Sequence, residues 1–167
     1  AGYALLKNEL GVRLFIIILN TATIFIIEQL TAKKNPLLFY AIAVSVGIAH
    51  LGGMIAVPDI PLLFFTAAFF WLYKRFLEKM NTGNATLLGV VMALMLYSKY
   101  HGLLIIGFTL ASNWKLFKRF HIYLAGIVTT ILFLPHLVWQ YQHDFPSVYY
   151  HLFERNAAHY KIDYTIE

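Results

Sequence analysis

The fold that this sequence predicts is an all-α, polytopic transmembrane helical bundle, and three observations carry it. The chain of 167 residues is 60% hydrophobic and only 13% charged, and its mean hydropathy is +0.66. Soluble domains carry about 25% charged residues and about 45–50% apolar ones, so water alone would leave too much apolar surface uncovered and lipid must serve as the solvent. Apolar runs alternate with short polar breaks, the first three runs each close to the ~20 residues that carry a helix across a ~30 Å hydrocarbon core. The basic residues gather in those breaks, and aromatics reach 17% with all three tryptophans (Trp71, Trp114, Trp139) near the ends of runs, as interfacial anchors.

About six apolar elements follow in order. The first runs from roughly Val12 to Leu30 and stops at Thr31-Ala32-Lys33-Lys34-Asn35. Pro36 suits the first turn of the second helix, because its missing N–H is unpaired there anyway. That helix is expected to run on to Pro58. A third opens at Pro58-Asp59-Ile60-Pro61 and closes on Lys74-Arg75.

The stretch 85–112 is long for one span, and Ser98-Lys99-Tyr100-His101-Gly102 breaks its middle. A single helix would bury Lys99 at mid-bilayer, at about 2.5–3.5 kcal/mol on insertion scales. It would also put Lys115, Lys118 and Arg119 on the side opposite to Lys74, Arg75 and Lys79. A short two-helix hairpin returns all of these to one face with Lys33 and Lys34, as the positive-inside rule requires. The hairpin is the expectation. A last span covers about Phe120 to Tyr141, where Pro135 should kink or end the helix near its outer end.

The net charge of +5 does not point to nucleic acid, because the cations are distributed by topology and form no patch. Absence of cysteine excludes a disulfide framework and a thiolate metal site. Residues 1–167 read as a single transmembrane region, an interior piece of a larger membrane domain. The partners expected from composition are membrane lipids.

With the basic loops inside, the opposite face collects His50, Asp59, Lys99, Tyr100, His101, His143, Asp144, Glu154, Arg155 and His159. Asp59, between two prolines at a helix start, has a plain architectural reading as a carboxylate facing the positive end of a helix. Its functional reading is a carboxylate held at a cavity rim to bind hydroxyls, an amine or a metal. Lys99 is either a turn lysine that snorkels to headgroups or a point charge for a phosphate oxygen. Tyr100 and Gly102 would permit close approach, and His101 could donate a further hydrogen bond. Glu28 reads as interfacial. The seven histidines show no His-Glu-x-x-His spacing, so a metal would need distant segments, such as Glu154 with a histidine.

Three segments carry a resemblance. Val57-Pro58-Asp59-Ile60-Pro61-Leu62 resembles the P-D-x-P-L segment of bacterial dolichyl-phosphate-mannose–protein mannosyltransferase-like proteins. Gly89 to Tyr100, ending Leu96-Tyr97-Ser98-Lys99-Tyr100, resembles their short hairpin, and Pro135 to Phe145 resembles their P-x-x-x-W-x-x-x-x-D-[FW] segment. These are lipid-linked-sugar glycosyltransferases of the GT-C type, and they include the aminoarabinose transferase of lipid A.

The resemblance implies that the full protein transfers a sugar from a polyprenyl-phosphate carrier to an acceptor hydroxyl. This would occur at the periplasmic or other extracytoplasmic face of the inner (cytoplasmic) membrane. It implies that Asp59 belongs to the catalytic set, positioning or binding the acceptor. Lys99, Tyr100, His101, Glu154 and Arg155 would bind substrate, with a divalent metal ion as a cofactor that the loop could help to hold. The family's main catalytic acid precedes the segments matched here, so this piece alone is expected to be inactive. Two rival classes remain from the residues themselves. One is a transporter or flippase with Lys99 and Asp59 as a charge pair, and the other is a non-catalytic assembly subunit.

Overall fold

The computed structural model describes residues 9–31, 35–45 and 59–149. Among these, six helices of ten or more residues follow one another: α1 (Glu9–Leu30), α2 (Pro36–Ser45), α3 (Asp59–Glu78), α4 (Thr82–Ser98), α5 (Gly102–Ala111) and α6 (Phe120–Gln142). A 3₁₀ helix, Trp114–Lys118, links α5 to α6, and a one-turn helix α7 (Pro146–Tyr149) comes last. No strand occurs among the described residues. The expected helical bundle and its six elements are therefore present. Three helices are long and apolar enough to cross a membrane: Arg13–Leu30, Asp59–Glu78 and Phe120–Gln142. Three such spans in one chain are the pattern of a multi-pass membrane protein. The chain divides into two compact units at Leu132/Phe133.

In the first unit, α3 and α4 build the core because each presents one apolar stripe. Phe69, Leu72 and Phe76 recur at helical spacing on α3, and Ala85, Leu88, Met92 and Met95 on α4. Ile106 of α5, Leu116 of the 3₁₀ helix, and Ile122 and Ala125 of α6 complete the cluster. The opposite faces are also apolar but exposed, as at Leu14, Ile18 and Phe25 on α1 and Leu103, Leu104 and Phe108 on α5. Side chains of this kind belong in hydrocarbon. Thr109 Oγ1 donates to Ile105 O at 2.7 Å and Thr23 Oγ1 to Leu19 O at 2.8 Å, so these two hydroxyls are satisfied within their own helices.

The hairpin forms as the charge argument required. Met92 and Leu110 line one cavity, whereas an unbroken helix would hold them about 27 Å apart. α4 starts earlier than the apolar run suggests, since the Asn81 side chain caps it by accepting the Asn84 N–H at 2.8 Å. Asn84, buried, returns its own side-chain amide to Lys79 O at 2.8 Å and ties the cap to the end of α3.

α6 packs on α4 at Gly89. A Cβ at this glycine would stand 2.5 Å from Ala125 O and 2.9 Å from Val128 Cβ, so only glycine permits the crossing. Thr129 Oγ1 donates to Gly89 O at 3.0 Å across the same contact. Farther along, the Tyr97 hydroxyl donates to Leu132 O at 2.9 Å, so α4 and α6 run in the same direction.

At the other end of the unit, Gln29 of α1 lines a small cavity of about 260 Å³ with Trp71, Lys74, Arg75 and Glu78 of α3. The C-terminal ends of α1 and α3 therefore lie together, and Arg75 sits 5.8 Å over the Trp71 ring. Glu28 accepts the Tyr40 hydroxyl at 2.6 Å, which places the start of α2 at this same end. The course of the second helix beyond Ser45 lies outside the described residues.

The second unit holds the end of α6. Pro135 lies inside the helix, which continues to Gln142 instead of stopping. The termination comes later, with Asp144 at φ 58° and Phe145 at φ 53°. The Phe145 N–H reaches back to Gln140 O at 2.8 Å, a Schellman-type closure made without glycine. Two consecutive non-glycine residues in the left-handed region store strain.

Candidate active site

Asp59 is the first residue of α3, and its carboxylate faces the positive end of the helix dipole. Pro61 fits beside it because the first-turn N–H groups have no intrahelical partner. Forty residues later, Lys99 ends α4 by turning extended, at φ −165° and ψ 137°. Its N–H still reaches Met95 O at 3.0 Å, while its carbonyl accepts the Gly102 N–H at 2.9 Å. This closes a four-residue turn from Lys99 to Gly102. Gly102 lets the turn fold tightly, since a Cβ there would come within 3.1 Å of Met95 Cβ.

The two ends meet. Lys99 Nζ lies 2.5 Å from Asp59 Oδ1, an ion pair whose side chains are 36% and 62% exposed respectively. A cation at the C-terminus of α4 and an anion at the N-terminus of α3 each suit their own helix dipole, so the antiparallel helices bring complementary charges together. Tyr100, half-buried, and His101, exposed, continue the same turn, and the His101 side chain makes no capping bond to α5. Tyr97, two residues upstream, fastens this end of α4 to α6.

Of the sequence-derived residues, Asp59 and Lys99 are in contact, and Tyr100 and His101 adjoin them. Glu154 and Arg155 lie outside the described residues, as do His50 and His159. The pairing was assigned at the sequence level only to the transport reading, and the transferase reading gave the two residues separate tasks. The role of Tyr97 was missed altogether. No group of three or more His, Asp or Glu side chains converges among the described residues, so these residues alone do not fit a metal.

In the second unit, His136, Trp139 and His143 stack along one side of α6, with centroids 6.1 Å and 4.6 Å apart. Buried Gln140 donates to Ser147 Oγ at 2.7 Å and so tethers α7 to the helix. Nothing at sequence level foretold this ladder. The helix stops at Gln142, and the left-handed backbone at Asp144 and Phe145 then redirects the chain.

No curated protein and no solved structure matches the chain. A family model described as dolichyl-phosphate-mannose-protein mannosyltransferase matches residues 2–139, which include α1 to α5, the Asp59–Lys99 pair and most of α6. The chain belongs to the dolichyl-phosphate-mannose-protein mannosyltransferase family, and with it to the membrane glycosyltransferases of the GT-C type.

Proposed function

We propose that the full protein transfers a sugar from a polyprenyl-phosphate carrier to an acceptor hydroxyl on the extracytoplasmic side of the inner membrane. In this reading the helices described here form part of the wall of a larger GT-C-like domain. The observation that carries it is the Asp59–Lys99 pair, held on a rigid helical turn at the end of α3 remote from Lys74 and Arg75. By the positive-inside rule that end is the outer one.

The reaction is an inverting displacement at the anomeric carbon. A carboxylate takes the proton of the acceptor hydroxyl as the new C–O bond forms, and the electron pair of the broken C–O bond leaves on the carrier phosphate. Lys99 neutralises that oxygen as charge gathers on it. At rest Asp59 holds the ammonium in place. When the phosphate draws the lysine away, the freed carboxylate binds and orients the acceptor. Tyr100 and His101 line the approach, and Glu154 and Arg155 are assigned to substrate binding.

The ion pair also suits a charge pair along a transport path, but family membership favours transfer. The test is turnover of purified full-length Lys99→Ala with a polyprenyl-phosphate sugar. Activity should fall strongly while membrane insertion persists. Wild-type turnover would remove Lys99 from the mechanism.

A further inference from the structure

An apolar groove runs along α6 on its side facing α4, α5 and the 3₁₀ helix. Met92, Leu110, Phe117, Tyr123, Ile127 and Ile131 are among its lining residues, and its volume is about 470 Å³. That is within the range of roughly 300–1,000 Å³ of ligand pockets. Tyr123, Ile127 and Ile131 are all more than half exposed, so the groove is open along its side. Gly126 forms an indentation, because a Cβ there would meet nothing within 4 Å. The polar groups of the lining are already used: Thr130 Oγ1 bonds to Gly126 O at 2.9 Å and the Tyr123 hydroxyl to Phe117 O at 2.8 Å. Hydrocarbon is the matter that such a slot accepts.

The Phe117 end, the mouth, differs in its surroundings. Lys115, Lys118 and Arg119 neighbour Phe117 in the chain without lining the groove itself, all are exposed, and no ion pair to any of them occurs among the described residues. This mouth lies far from the Asp59–Lys99 end. Tyr97 meets α6 at Leu132, and Phe120 begins that helix about 18 Å away along its axis. An apolar slot with a cationic mouth at a membrane boundary complements an amphiphile with an anionic head.

We propose that this groove binds an anionic glycerophospholipid from the leaflet on the basic side, with its phosphate at Lys118 and Arg119 and an acyl chain along Ile127 and Ile131. The proposal requires only that the helices span a membrane, and sugar transfer plays no part in it.

The experiment is native mass spectrometry of the full-length protein released from nanodiscs of equimolar phosphatidylglycerol and phosphatidylcholine. The wild type should retain phosphatidylglycerol over phosphatidylcholine by at least about fivefold. Lys118→Gln with Arg119→Gln should bring that ratio close to one, and Lys115→Gln should lower it in part if the double variant does not insert. Gly126→Leu, whose side chain enters open space, should displace both lipids with the mouth intact. An unchanged ratio in the charge variants overturns the proposal. Full retention in Gly126→Leu overturns it too, leaving only loose surface attraction. A mass of two chains without lipid overturns it in favour of a second copy of the protein.

Discussion

The Lys99 ammonium touches the Asp59 carboxylate at 2.5 Å, joining the C-terminal end of α4 to the N-terminal end of α3. Such a contact invites a purely architectural explanation, and magnitude decides against it. With 36% and 62% of the side chains exposed, an ion pair of this kind contributes about 0.2–1 kcal/mol. Lys99→Ala and Asp59→Asn should therefore each shift unfolding by no more than about 1 kcal/mol, yet lower transfer at least about tenfold. The exchanged pair, Asp59→Lys with Lys99→Asp, restores the contact at a cost of about 0.3–1 kcal/mol at each helix end, where the charge now opposes the dipole, and should remain inactive, because the cation no longer meets the phosphate. Recovery of turnover in the exchanged enzyme would reduce the pair to a staple.

Gly89 should be the least replaceable glycine described. Its Cβ position is 2.5 Å from the Ala125 carbonyl, and overpacking of this kind costs about 1–3 kcal/mol. Thermal unfolding in detergent should show Gly89→Ala well below wild type. Gly126→Ala, which meets nothing within 4 Å, should stay within about 0.5 kcal/mol. Equal loss in both would mean that the α4–α6 crossing is looser than described.

Asn81 should behave as a true helix cap. Its side chain accepts the Asn84 N–H at 2.8 Å, so Asn81→Ala should cost about 1 kcal/mol and Asn81→Asp much less. The ranking can be read from denaturation midpoints. An alanine variant as stable as wild type would show that Asn84, bonded to Lys79 O, fixes the turn unaided.

The absence of native cysteine makes sidedness directly measurable. A membrane-impermeant thiol reagent applied from outside should label His101→Cys at once, but Lys79→Cys and Lys118→Cys only after permeabilisation. Labelling of positions 101 and 79 from the same side would contradict the orientation proposed for the hairpin.

Much of the architecture was legible because a membrane constrains where charge can go. The break at Ser98–Gly102 followed from keeping Lys115 on the side of Lys74, and Pro36 opens α2 as expected. Distance along the chain hid the rest. Nothing local to Asp59 announces a lysine forty residues away, and Gly89 reveals its purpose only when the Ala125 carbonyl arrives from α6. Of the two outcomes expected at Pro135, an end to the helix there is the one not seen, since α6 continues to Gln142, one residue past the expected Tyr141. A membrane helix tolerates the one lost bond because neighbouring groups and local adjustment supply substitutes.

The ten residues of α5 have a consequence beyond the protein itself. At 1.5 Å per residue the helix is about 15 Å long, half the usual hydrocarbon thickness of about 30 Å. Lys115 and Lys118 follow within a few residues, in the 3₁₀ helix. Lipids beside α5 must therefore shorten their span to meet those charges, at fractions of a kcal/mol for each ångström of mismatch. A flank this short is expected to favour thinner membranes, and stability in bilayers of graded acyl-chain length would show it.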